Sequence, residues 1–167
     1  MGIFKKRKKN ILKISVENGF FGPCIFEKEE NKSLVNLVDG IGKTKFGRYE
    51  VTVEIEVDED SVTMALAELE KLYQNADAIL EKIYPEAMEQ CNDWEEEDAL
   101  GNPINLDYIK KYYELTDISV AGDIEDGFYI TLIGSVGDED GGELLGDHSF
   151  VAEVECSTGE ITYDLWG

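Results

Sequence analysis

A single histidine limits the chemistry open to this chain. His148 is the only imidazole in 167 residues, so any Cys–His or Ser–His nucleophile would have to use it. Cys156 stands eight residues further on. On one extended strand it shares a face with His148 but sits ~27 Å away, out of reach. The three cysteines, Cys24, Cys91 and Cys156, are odd in number and widely spaced, which suits neither a disulfide framework nor a zinc knuckle. They read as reduced thiols of a cytoplasmic protein. No GxGxxG, GxxxxGK[ST] or GxSxG pattern occurs, so nothing marks a phosphate-cradling loop or a nucleophile elbow. These residues predict a protein that is not an enzyme and carries no cofactor.

Carboxylates are abundant instead, and two groups of them could bind something. Asp138-Glu139-Asp140-Gly141-Gly142-Glu143, with Asp147 and His148 behind it, places hard oxygen ligands in a glycine-flexible loop. That is chemistry calcium accepts, with Asp138, Asp140, Glu143 and Asp147 as the ligand set. The loop departs from an EF-hand, since Gly142 falls at the fifth position instead of the sixth and Ser149 stands at the twelfth. A solvated hairpin loop explains the same residues. The second group is Glu86, Glu89, Asp93, Glu95, Glu96, Glu97 and Asp98, around Trp94. Helices ordinarily relieve such repulsion with Lys one turn away, and here little relief is provided. A positively charged protein partner would supply the missing countercharge, with Trp94, Tyr108, Tyr112 or Tyr113 as aromatic anchors.

The overall charge is an average over unlike parts. Fifteen Lys+Arg against 37 Asp+Glu give −22. Residues 1–13 hold +6, residues 14–49 balance five of each sign, and residues 50–167 hold −28 with only Lys71, Lys82, Lys110 and Lys111 as cations. Direct nucleic-acid binding is disfavoured, because phosphate affinity needs a Lys/Arg footprint that most of the chain lacks. Residues 1–10, with Lys5-Lys6-Arg7-Lys8-Lys9, read as a basic, flexible arm. A short polybasic run without acylation does not anchor stably to a membrane, and Lys6 stands where a myristoylation motif needs Ser or Thr. No run approaches the ~18 apolar residues of a membrane span, and no apolar stretch follows the basic one as in a secretory signal.

The elements that must position these groups are strands at both ends and helices between. Leu12, Ile14 and Val16 alternate with polar residues, segments 24–27 and 33–38 suit short strands, and residues 49–57 alternate over nine positions. Asp39-Gly40 and Gly42-Lys43 read as loops. Val62, Leu66, Leu69, Leu72, Ala76, Ile79 and Ile83 recur at helical spacing, predicting about six turns. Pro85 predicts a kink or fresh start, with a second piece to about Trp94. Asn105 caps a short helix through Tyr112 and Tyr113, and residues 118–120, 127–133, 148–154 and 161–166 are strand-like. The expected fold is a single α+β domain over residues 11–167, with a mainly antiparallel sheet drawn from both ends and the helices on one face.

Two passages carry a family likeness: Gly19-Phe20-Phe21-Gly22-Pro23 with Phe46-Gly47-Arg48-Tyr49-Glu50-Val51-Thr52-Val53 and a Leu-rich helix ending in Ile83-Tyr84-Pro85, and Gly146-Asp147-His148-Ser149-Phe150-Val151-Ala152-Glu153-Val154 with Thr158-Gly159-Glu160-Ile161. Together they resemble a group of bacterial domains of unknown function, some encoded near polymorphic toxins and suspected to be immunity proteins. The resemblance implies a cytoplasmic α+β domain that protects by binding, and it brings no catalytic residues. The expectation is an acidic immunity-type protein that neutralises a basic toxin such as a nuclease, and the alternative is a Ca²⁺-responsive or small-ligand module using loop 138–147.

Overall fold

Strand alternation sets the architecture, most clearly in β5 (Tyr49–Asp58), where Tyr49, Val51, Val53, Ile55 and Val57 are buried and the residues between them are exposed. The computed structural model describes residues 10–94 and 96–167. The basic run Lys5–Lys9 lies outside the described residues. Asn10, read as part of the arm, is tied to the sheet: its side chain donates to Glu30 at 2.8 Å and its carbonyl accepts from the Glu30 N–H at 3.0 Å.

The fold is α+β. In chain order come β1 (Ile11–Asn18), β2 (Gly22–Glu29), β3 (Leu34–Asp39), β4 (Lys43–Phe46) and β5, then a 3-10 turn (Glu59–Ser61), α1 (Val62–Gln74), α2 (Ala76–Asp93) and α3 (Leu106–Tyr112). β6 (Tyr113–Asp123), β7 (Gly127–Val136), β8 (Ser149–Glu155) and β9 (Ile161–Trp166) complete it. The sheet runs β1-β2-β3-β5-β6-β7-β8-β9, with β4 also on β5. All pairings are antiparallel except β5 with β6, where Val53 lies opposite Ile118 and Ile55 opposite Val120. The helices form the crossover that a parallel pair requires. They share one buried cluster with the inward residues of the strands, including Leu66, Leu69, Leu80, Ile83, Ile118, Leu132 and Phe150.

Three local outcomes differ from the sequence expectation. Lys43, read with Gly42 as loop, opens β4, a strand with no counterpart in the sequence reading, and the two-residue turn Gly47-Arg48 sets Phe46 opposite Tyr49. Gly47 has φ of +56°, which glycine adopts without strain. The helix breaks at Asn75 and continues through Pro85. Asn75 Nδ2 donates to the Lys71 carbonyl at 2.8 Å, and its N–H donates to the Leu72 carbonyl at 3.0 Å, so two of α1's last four carbonyls find donors as the chain restarts. Pro85 lies on α2's exposed side, where the Glu81 carbonyl it leaves without an N–H donor can be hydrated. Tyr113, read as the end of the short helix, opens β6 and is fully buried.

Tyr113 belongs to an aromatic joint between sheet and helices. Its ring meets Tyr49, Tyr84 and Phe150 edge-on at centroid distances of 5.9, 5.8 and 6.2 Å. The Tyr49 and Tyr84 hydroxyls lie 3.0 Å apart, and Arg48 donates to Tyr49 Oη at 2.6 Å and to the Lys110 carbonyl. The guanidinium also sits 4.8 Å from the Tyr49 ring centroid. The Tyr113 hydroxyl is buried with no hydrogen-bond partner among the described residues. A Cβ at Gly134 would stand 2.5 Å from the Glu114 carbonyl and 2.6 Å from that hydroxyl.

Two stability measurements follow from this joint. Gly134→Ala is expected to lose about 2 kcal/mol in urea unfolding, because the methyl meets backbone on one side and a packed ring on the other. Tyr113→Phe is expected to stay within ~0.5 kcal/mol of wild type or gain up to ~1 kcal/mol, since it removes a polar atom that has lost water and found no partner.

Candidate functional site: an acidic surface around Trp94

Helical geometry assembles the first part of the surface. Glu86, Glu89 and Asp93 stand at i, i+3 and i+7 on α2 and therefore share a face. Glu89 and Asp93 are exposed, and Glu86 is half-buried near Tyr163, whose phenol is pushed up by burial and then by the Glu86 charge. The last turn of α2 contains no basic residue. The helical ion pairs, Glu68–Lys71 at 2.6 Å and Glu81–Lys110 at 2.8 Å, both involve acids that precede this face in sequence.

Trp94 follows directly and is 44% exposed. Its indole meets the His148 ring edge-on, with centroids 4.7 Å apart. His148 is held in turn by its backbone N–H, which donates to the Leu145 carbonyl at 3.1 Å, while Nδ1 lies 3.2 Å from the same oxygen. Leu145 is buried, so the support under Trp94 reaches the core. The sole histidine thus acts as a platform for an aromatic side chain.

The loop after α2 divides the predicted acids by role. Glu95 lies outside the described residues. Glu96 is half-buried and its N–H donates to the Cys91 carbonyl at 3.0 Å. Glu97 is exposed, and its backbone bridges Pro103. Asp98 is occupied by its own loop. Its Oδ1 accepts from the Leu100 and Asn102 N–H groups, both at 2.9 Å, and from Asn102 Nδ2 at 3.1 Å. These Asn102 and Leu100 bonds hold its carboxyl below the ordinary value. Asp98 therefore shapes the loop, and among the described residues of this group Glu89, Asp93 and Glu97 are the exposed acids.

No protein-family model, curated protein or solved structure matches this chain.

Loop 137–147 lies against the same region. The Tyr108 hydroxyl donates to Glu139 Oε2 at 2.9 Å, and Trp94 touches His148 at the loop's far end. Tyr108 is buried and its phenol is pushed up, first by burial and then by Glu139, so it serves as a tether. With Tyr113 in the core and Tyr112 half-buried, Trp94 is the exposed aromatic among the four proposed anchors. Asp138 is spent on the turn: Oδ1 accepts the Asp140 N–H at 2.8 Å and the Gly142 N–H at 2.7 Å. Asp140, Glu143 and Asp147 are exposed. Among the described residues, no three His, Cys, Asp or Glu side chains are grouped so as to hold a metal ion. The two acidic regions that look separate in sequence thus adjoin in space, joined by aromatic contacts that no local pattern signals.

The thiols are free, and burial pushes them up, Cys91 to about 12 and Cys156 to about 11. Neither is a ready thiolate nucleophile near neutral pH. One feature missed in sequence is an open hollow of about 580 Å³ between Asp58, Glu59, Asp60, Ser61, Asp123, Ile124 and Glu125. The acidic run at 58–60 was its only signal. Lys28 offsets part of its charge through an ion pair with Glu59 at 2.6 Å.

The Asp98 turn predicts a pH response with a definite sign. Because the folded carboxyl is held below its unfolded value, its contribution is present above the unfolded value and lost as the pH falls through the folded one. Amide hydrogen exchange at Leu100 and Asn102 should therefore accelerate below about pH 4, relative to helix amides. Asp98→Ala should show the accelerated rate already at neutral pH. Equal protection in wild type and variant would count against the clamp.

Proposed function

We propose that this chain is a non-enzymatic binding protein of the immunity type, acting in the cytoplasm by docking its acidic surface on a basic protein such as a nuclease toxin. The observation that carries the reading is Trp94, half-exposed and braced on His148 beside the exposed carboxylates of Glu89 and Asp93. An exposed tryptophan on a rigid support is the kind of residue that anchors an interface, since it buries a large area at small cost in side-chain entropy. Among the described residues Glu89, Asp93 and Glu97 have no ion-pair partner, and a cationic surface would relieve their mutual repulsion on docking. A nuclease must present positive charge to its substrate, so an acidic inhibitor arrives on the field that the enzyme uses for nucleic acid. Among the described residues no helix is long and apolar enough to cross a membrane, which is compatible with this reading.

The test is co-expression with a basic nuclease domain encoded beside the gene for this chain. Wild type should rescue growth and form a complex whose association slows with salt. The triple reversal Glu89→Lys, Asp93→Lys and Glu97→Lys should slow association by about tenfold or more while leaving the Tm unchanged, because all three side chains are exposed. Trp94→Ala should act mainly on dissociation. Rescue by the triple variant at wild-type strength would remove the acidic surface from the mechanism.

A further inference from the structure

Among the described residues the main strand path ends on β1 and on β9, and β4 hangs off it on β5. β1 has β2 on one side and no described strand on the other. It runs eight residues without proline, and Ile11 and Leu12 are 53% and 57% exposed at its start. Exposed edge strands of this length are usually blunted by proline, a bulge or several charges, and β1 carries one lysine and one glutamate. It begins at the end of the +6 stretch of residues 1–13 and runs into residues 14–49, where five charges of each sign balance, whereas residues 50–167 hold −28. Two copies of a chain with net charge −22 meet with least repulsion through this half.

We propose that the β1 edge is a homodimer interface in which two copies pair antiparallel about Ser15, joining their sheets into one. The register follows from the ladder. The Asn10 carbonyl accepts from the Glu30 N–H, so the even residues of β1 aim their backbone groups at β2 and Ile11, Lys13, Ser15 and Glu17 aim theirs outward. Only registers that set odd residues opposite odd residues can then make bonds on both sides. With Ser15 facing its own copy, Lys13, which pairs with Glu27 of its own chain at 3.3 Å, stands between that carboxylate and the second copy's Glu17, and the reverse contact repeats by symmetry. On the other face Ile14 stands opposite Val16, extending the apolar row that both residues already pack against the core. The same register carries the second copy's hairpin tip, with Phe20 48% exposed, toward the end of the strand where Ile11 and Leu12 line a hollow of about 320 Å³. The opposite edge, β9, lacks this complementarity: it carries Asp164 and no cation.

Sedimentation velocity of the full chain over a concentration series tests the pairing. A monomer–dimer equilibrium is expected for wild type. Ser15→Pro removes an outward N–H and no bond to β2, so it should sediment as a monomer with unchanged Tm and circular dichroism. Where that variant fails to fold, the charges decide: Lys13→Glu should weaken dimerisation by about tenfold, and adding Glu17→Lys should restore it. A wild type that is monomeric at every concentration, open-ended polymers from β1 on β9, a dimeric Ser15→Pro chain, or a double charge variant no tighter than the single one would each overturn the proposal.

Discussion

The parallel pairing of β5 with β6 is the constraint on which the rest of the molecule depends. Among the described residues it is the one place where the N-terminal strands and the C-terminal strands become a single sheet. A parallel pair cannot be closed by a turn, so α1, α2 and α3 must cross over the sheet, and they do so on the face where Val53, Ile55, Ile118 and Val120 are buried. The aromatic joint of Tyr49, Tyr84 and Tyr113 holds that crossover in place, tying the first residue of β5 and the first residue of β6 to the middle of α2. Because α2 is fixed there, its C-terminal turns and Trp94 are carried to His148 at the start of β8.

Charge is the second organising quantity, and it acts against the fold. Burial of apolar surface is the gain that balances self-repulsion in a chain of net charge −22. The acids of β5 alternate with its buried residues, so Glu50, Glu54 and Glu56 remain solvated. Others are absorbed locally: Asp98 and Asp138 each gather N–H groups of their own turn, and Glu139 takes the Tyr108 hydroxyl. Among the described residues, Glu89, Asp93 and Glu97 stay exposed on the Trp94 side, and Asp140, Glu143 and Asp147 stay exposed in the adjoining loop. The neutral N-terminal strands stand apart from this surface, so a copy meeting β1 and a basic protein meeting Trp94 would use different parts of the molecule.

Where the period of the sequence matched the environment of a whole element, the element was legible. β5 shows its nine-residue alternation because both its pleated faces have a consistent fate, one in the core and one in water. β4 was not legible, because four residues between two glycines carry too little pattern and their pairing depends on β5 beside them. The stop at Asn75 was hidden for a related reason: the apolar spacing runs on across it, while the break comes from a side chain turning back to the Lys71 carbonyl. Pro85 misled in the opposite direction, since losing one helix bond matters little where the orphaned carbonyl is exposed. At the candidate surface, the acidic face of α2 could be read from spacing alone, but the bracing of Trp94 by His148 joins residues 54 positions apart and has no local signature.

The sequence by itself determined the α+β class, the inward face of β5 and the charge segregation, because each of these is a sum or a period along the chain. Tertiary structure alone decided which acids are spent and which are free. Asp98 and Asp138 look like their neighbours in composition, and only closure of a turn around each shows that its carboxylate is already satisfied. It also decided that one tyrosine is a core residue, another a tether, and Trp94 the exposed aromatic. Exposure depends on what the rest of the chain places on top of a side chain, and no stretch of sequence contains its own covering.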